Sequence, residues 1–115
     1  MDGHSLRILY ADDNKIEQEL LKAIAKKHKI ISAHNAKEAL SKDDGFDVII
    51  IDINLGNDNG YELYQQLKHR YDCKFMIISG LLPDTDIHIS ERDTLMDKNA
   101  FFAKAKNWNV DEWIS

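Results

Sequence analysis

Short apolar runs alternate with amphipathic stretches along most of this chain. Leu6-Arg7-Ile8-Leu9-Tyr10 reads as a first strand, followed by an acidic pair and a helix. In that helix Ile16, Leu20 and Ile24 recur every four residues with Leu21 beside them, which predicts an apolar face turned to a core. Ile30-Ile31-Ser32-Ala33 is a short second strand. Asn35, with Glu38 three residues on, predicts a capped helix over Ala36–Lys42. Val48-Ile49-Ile50-Ile51 is apolar without alternation, as expected of a central parallel strand covered on both faces. Tyr61, Leu63, Tyr64, Leu67 and Tyr71 space out helically, and Phe75-Met76-Ile77-Ile78 is another continuous strand.

The pattern to this point is β-α-β-α-β-α-β, the signature of a doubly wound parallel sheet. Beyond Ser79 it blurs. Residues 81–99 should hold a fourth helix, yet Ile87 and Ile89 alternate like a strand and Thr94-Leu95-Met96 reads as a weak apolar turn. Ala100-Phe101-Phe102-Ala103 is the expected fifth strand, and Asn109 with Glu112 caps a short final helix. The whole, residues 1–115, reads as one domain.

Composition narrows the class. The 115 residues are 43% hydrophobic, enough for one real core, with a formal charge of −5. That balance argues against direct binding of nucleic acid or an anionic membrane surface. No apolar run approaches the roughly eighteen residues of a membrane span. Met1-Asp2-Gly3-His4-Ser5 carries no signal pattern. The single cysteine, Cys73, excludes an internal disulfide or a multi-thiolate metal site, and a cytoplasmic location is expected.

In an open parallel sheet, ligands bind outside the carboxyl ends of the strands. Asp12 and Asp13 follow strand one, Asp52 ends strand three, Ser79 ends strand four, and Lys104 follows the expected strand five. Three clustered carboxylates repel one another and call for a cation or a retained proton; Mg²⁺, a hard ion, suits oxygen ligands. Lys104 and Ser79 are then available to an incoming anion, most simply a phosphoryl group.

These residues resemble the response-regulator receiver domain of two-component signalling. The resemblance runs through Ile8-Leu9-Tyr10-Ala11-Asp12-Asp13-Asn14, through Val48–Leu55 with Gly60 eight residues after Asp52, and through Phe75-Met76-Ile77-Ile78-Ser79-Gly80. It implies a flavodoxin-like fold, strand order 2-1-3-4-5. It further implies that Asp52 is the phosphoacceptor. Asp13 would bind Mg²⁺ directly, Asp12 through water, and Asn54 through its backbone carbonyl. Ser79 and Lys104 would hold phosphoryl oxygens, and Ser79 with Phe101, three residues before that lysine, would form the switch pair. The implied partner is a sensor histidine kinase or a histidine phosphotransfer protein. Such a domain acts only on its own phosphorylation and is not an enzyme in the ordinary sense.

Departures from the family cluster late. Gly56 stands where a proline is common, Ala105 replaces the proline expected after the lysine, and the family's Gly-Ala before strand five falls at Asp97-Lys98. With a degraded fourth helix and a short final one, the output face looks altered, and a monomer or weak dimer is expected. A non-switching pseudo-receiver used as a protein-binding module is the alternative reading. A small Mg²⁺-dependent phosphatase fits worse, because Asn54 stands where its acid/base aspartate would be. No effector segment follows Ser115, so a stand-alone or excised receiver is expected.

Overall fold

The computed structural model describes residues 5–80 and 87–115. Its chain order is β1 (Arg7–Ala11), α1 (Lys15–Ile24), β2 (Lys29–Ala33), α2 (Ala36–Ser41), β3 (Val48–Asp52), β4 (Asn54–Leu55), β5 (Asp58–Asn59), α3 (Gly60–Lys68), β6 (Lys74–Ser79), β7 (Thr94–Asp97), α4 (Lys98–Ala105) and α5 (Val110–Ile114). Five strands form a parallel sheet in the order β2-β1-β3-β6-β7, with β4-β5 a separate two-stranded ribbon. Setting the ribbon aside, this is the expected 2-1-3-4-5 order of a flavodoxin-like sheet.

Both faces of the sheet are covered, which is why its central strands show no polar alternation. Leu9, Ile49, Ile51, Phe75 and Ile77 pack on one side with Leu63, Tyr64 and Leu67 of α3. Ile8, Tyr10, Val48, Ile50, Met76 and Ile78 pack on the other with Leu21, Phe101 and Trp113. Helix α1 is rotated from the expected face. Its buried side chains are Gln18 and Leu21, whereas Ile16 is 80% exposed and Leu20 is also exposed. Gln18 is fixed there by polar bonds, its Nε2 donating to the carbonyls of Tyr10, Asp12 and Ala33 at 2.9, 3.1 and 3.2 Å. A polar side chain that ties down three strand-end carbonyls takes the inward position from an isoleucine.

The late region is where the sequence expectation fails. The fifth strand is Thr94–Asp97, paired Met76↔Thr94 through Ser79↔Asp97, and not Ala100–Ala103. That alanine-rich stretch lies in α4, as alanine's helix preference favours, and Asp97 Oδ2 caps the helix by accepting from Ala100 N–H at 3.0 Å. The fourth helix expected within 81–99 is not formed by residues 87–97; residues 81–86 lie outside those described. In its place 87–93 crosses α3 as an irregular strap. Tyr61 Oη donates to the His88 carbonyl at 2.9 Å, and Tyr64 Oη accepts from Ser90 N–H at 3.0 Å. Tyr64 Oη donates in turn to Asp93 Oδ2 at 2.7 Å, which also meets Lys68 Nζ at 3.0 Å, while Asp93 Oδ1 accepts from Phe75 N–H at 2.9 Å. Burial and the Asp93 bond push the Tyr64 hydroxyl up to about 12. The final helix is short, as expected, and carries the Asn109–Glu112 capping box.

Candidate phosphoryl-transfer site

The site lies at the carboxyl edge of the sheet, where β1, β3, β6 and β7 end. Asp12 is fully buried; its Oδ1 accepts from Asn14 N–H at 2.9 Å and its Oδ2 from the Tyr10 hydroxyl. Burial, then that bond, raises the Tyr10 pKa well above the ordinary phenol value, so the hydroxyl keeps its proton. Asp52, also buried, accepts from Asn54 N–H at 3.0 Å. Glu17 reaches the same point from the first turn of α1, and carboxylate oxygens of Asp12, Glu17 and Asp52 lie within 4.8 Å of one another.

One ammonium answers all three. Lys98 Nζ stands 2.6 Å from Asp52 Oδ2, 2.6 Å from Glu17 Oε1 and 3.3 Å from Asp12 Oδ2. Burial disfavours its charge, but hydrogen bonds to Asp52 and Glu17 outweigh that and raise its pKa above the ordinary lysine value. Asp52 and Glu17 are each raised as well, because desolvation exceeds the relief Lys98 gives. Three carboxylates against one ammonium leave the pocket two charges short of neutrality, the donor set a divalent cation wants. The buried triad can coordinate such an ion.

Of the residues expected here, Asp12, Asp52 and Ser79 arrive together at the strand ends, and Ser79 is buried opposite Asp97. Lys104 does not. It is an exposed residue of α4, and the lysine following the fifth strand is Lys98. The difference follows from the position of the strand: Asp97 ends it, and Lys98, next in the chain, supplies the pocket's cation. Phe101 is likewise helical, buried among Phe102, Trp108 and Trp113 rather than set on a strand. Counting three residues back from Lys98 gives Leu95, which has no ring.

Asp13 is exposed and stands outside the triad, beside Gly56. Gly56 has φ +62°, and a Cβ there would lie 3.0 Å from Asp13 Oδ2. Asn54 is exposed, its N–H serving Asp52. Glu17 was missed, though a signal existed. Asn-x-x-Glu occurs at 14–17, 35–38, 59–62 and 109–112, the capping pattern, each time at a helix start. Glu112 closes its box, Glu38 turns to His34 N–H at 2.7 Å, and Glu17 turns to Lys98.

The description "Response regulator receiver domain" matches residues 8–104. This chain belongs to the response-regulator receiver family. Solved structures similar to it include a CheY-like receiver domain from Methylobacillus flagellatus, 21% identical, covering 83% of this chain and 87% of that one at TM-score 0.70. A response regulator from Clostridium difficile is 23% identical over 89% and 93%, TM-score 0.69. The Thermotoga maritima regulator TrrA, solved with Mg²⁺ and beryllofluoride, is 24% identical over 84% and 90%, TM-score 0.67. No curated protein matches the chain. As a receiver, the chain is a phosphoacceptor whose acidic cluster matches the family's phosphorylation and Mg²⁺ site, and it catalyses only its own phosphorylation and dephosphorylation. Receivers work with histidine kinases or phosphotransfer proteins. Among the described residues, no helix is long and apolar enough to cross a membrane.

Proposed function

We propose that residues 1–115 act as one receiver domain in which Asp52 accepts a phosphoryl group from a phosphohistidine. The observation that carries this reading is the three-way contact of Lys98 with Asp52, Glu17 and Asp12. A Asp52 carboxylate oxygen attacks phosphorus as the P–N bond breaks, and the imidazole nitrogen keeps the electron pair and takes a proton. Asn54 N–H orients the attacking carboxylate, while Lys98 and the Ser79 hydroxyl face the charge that arrives with the phosphoryl oxygens. Asp12, Glu17 and Asp52 would hold Mg²⁺, which supplies charge neutralisation for the transferred group. Asp13, expected as a direct ligand, is left at the rim.

The donor docks, in this reading, over α1, where Ile16 and Leu20 stand exposed beside the acidic pocket. A cytoplasmic partner kinase or phosphotransfer protein fits that surface. Leu95 and the strap at 87–93 favour a receiver that takes phosphate without a ring-flip readout, and so without a tight dimer. The test is Mg²⁺-dependent labelling by acetyl phosphate. Asp52→Asn should abolish the base-labile acyl phosphate and keep the fold. Lys98→Ala should slow labelling severely while Lys104→Ala leaves it at the wild-type rate. Wild-type labelling of Asp52→Asn, or equal loss in the two lysine variants, overturns the assignment.

A further inference from the structure

Asp12 is fully buried, so its carboxylate draws its stabilisation from protein donors and not from solvent. Asn14 N–H serves Oδ1 at 2.9 Å. The shared ammonium serves Asp12 least, since Lys98 Nζ stands 3.3 Å from its Oδ2 but 2.6 Å from both Asp52 and Glu17. Asp52 has Asn54 N–H besides, and the Glu17 side chain is 25% exposed to water. The deficit at Asp12 is met by the Tyr10 hydroxyl, which donates to Oδ2.

Tyr10 is itself fully buried, in the apolar cluster that holds Leu21, Ile50 and Phe101. A phenylalanine ring would fill that space equally well, and a buried hydroxyl is costly unless it is bonded. The phenol oxygen is explained by Asp12, not by the core. We infer that Tyr10 is a positioning residue of the phosphoryl-transfer site: its hydroxyl holds the Asp12 charge whenever no divalent ion does, so that the pocket keeps its shape while the ion exchanges. This role rests on the receiver reading of the pocket and gives that reading a residue outside the ligand set. Its energetic sign is definite. A bound divalent ion offsets the Asp12 charge, so the hydroxyl stabilises the loaded pocket less than the ion-free one. Tyr10 therefore weakens cation binding and stabilises the ion-free fold, and linkage ties the two effects together.

Tyr10→Phe keeps the ring and removes only the hydroxyl. Calorimetric titration of the 115-residue chain with MgCl₂, at constant ionic strength, should show binding about three- to tenfold tighter in the variant than in the wild type. Urea unfolding should show the variant less stable without Mg²⁺, the gap narrowing at high Mg²⁺ by the amount the tighter binding dictates. A variant that folds only with Mg²⁺ present is the same effect carried further. In an Asp12→Asn background, where the buried charge is gone, Tyr10→Phe should cost clearly less stability without Mg²⁺ than it does in the wild type. Unchanged or weaker Mg²⁺ binding, an unfolding gap that ignores Mg²⁺, or an equal cost beside Asp12→Asn would each overturn this role. Those failures leave wild-type Mg²⁺ binding and Asp52 labelling intact. A wild type that binds no Mg²⁺ would instead remove the metal site, and the role with it.

Discussion

The acidic pocket and the strap at 87–93 are built on different principles. The pocket is assembled by main chain: parallel strands end at one edge and bring Asp12 and Asp52 there, and the first turns of α1 and α4 add Glu17 and Lys98 without a long connector. The strap has no regular hydrogen-bond ladder of its own and is held by side chains, Tyr61, Tyr64 and Asp93. A substitution in the strap therefore spends stability and spares chemistry. A change in the pocket's backbone setting disturbs both.

The strap's anchor should give the largest stability effect. Asp93→Ala strands the Lys68 ammonium, the Tyr64 hydroxyl and the Phe75 N–H together, and should cost about 3–5 kcal/mol by urea unfolding. Acetyl phosphate labelling should survive wherever the variant is folded; its loss would dissolve the distinction between the two regions. Next comes Gly60→Ala, on the pocket side. A Cβ at Gly60 would lie 2.2 Å from the Asp52 carbonyl oxygen and 2.6 Å from Ile53 Cα, so the main chain under the phosphoacceptor must shift. About 1–3 kcal/mol should be lost, with labelling slowed as well. Tyr61→Phe, which removes both exposed hydrogen bonds between the Tyr61 hydroxyl and the His88 main chain, should cost about 0.5–1.5 kcal/mol in the same unfolding assay and leave labelling unchanged.

The smallest effect concerns pH and touches neither region. Burial, helped by the Lys27 charge, holds the His28 pKa below the ordinary imidazole value. Between the two values the unfolded chain binds a proton that the folded chain refuses. The contribution is complete above the ordinary imidazole value and is lost as pH falls through the folded one. Melting curves across that window should fall less steeply for His28→Asn than for the wild type. Glu17 and Asp52, with raised pKa values, act in the opposite sense: their proton uptake adds stability as pH falls toward the ordinary carboxylate range.

Sequence reasoning reached the sheet and its order because buried parallel strands such as Val48–Ile51 and Phe75–Ile78 announce themselves as unbroken apolar runs. Asp12, Asp52 and Ser79 followed, since each is the polar residue that ends such a run. Gly60 was legible as a spacing, and the structure turns that spacing into a steric contact with Asp52. The fifth strand was not legible. Thr94–Asp97 is four residues long, partly buried and at the sheet edge, while the louder apolar stretch beside it, Ala100–Ala103, is helical. Lys104 and Phe101 were misassigned for that one reason. The face of α1 was misread because Gln18, a polar residue, occupies an inward position by satisfying three carbonyls, which no count of apolar periodicity registers.

The junction of β7 and α4 bears on how this chain can vary by insertion. Asp97 ends the strand and caps the helix, and Lys98 is the first helical residue, so no loop separates the two elements. A helix turns about 100° per residue. One residue inserted between Asp97 and Lys98, or removed there, would swing the ammonium around the helix axis and away from Asp52, and no slack exists to bring it back. Insertions are therefore intolerable within this joint, a rule of length that no single substitution would reveal.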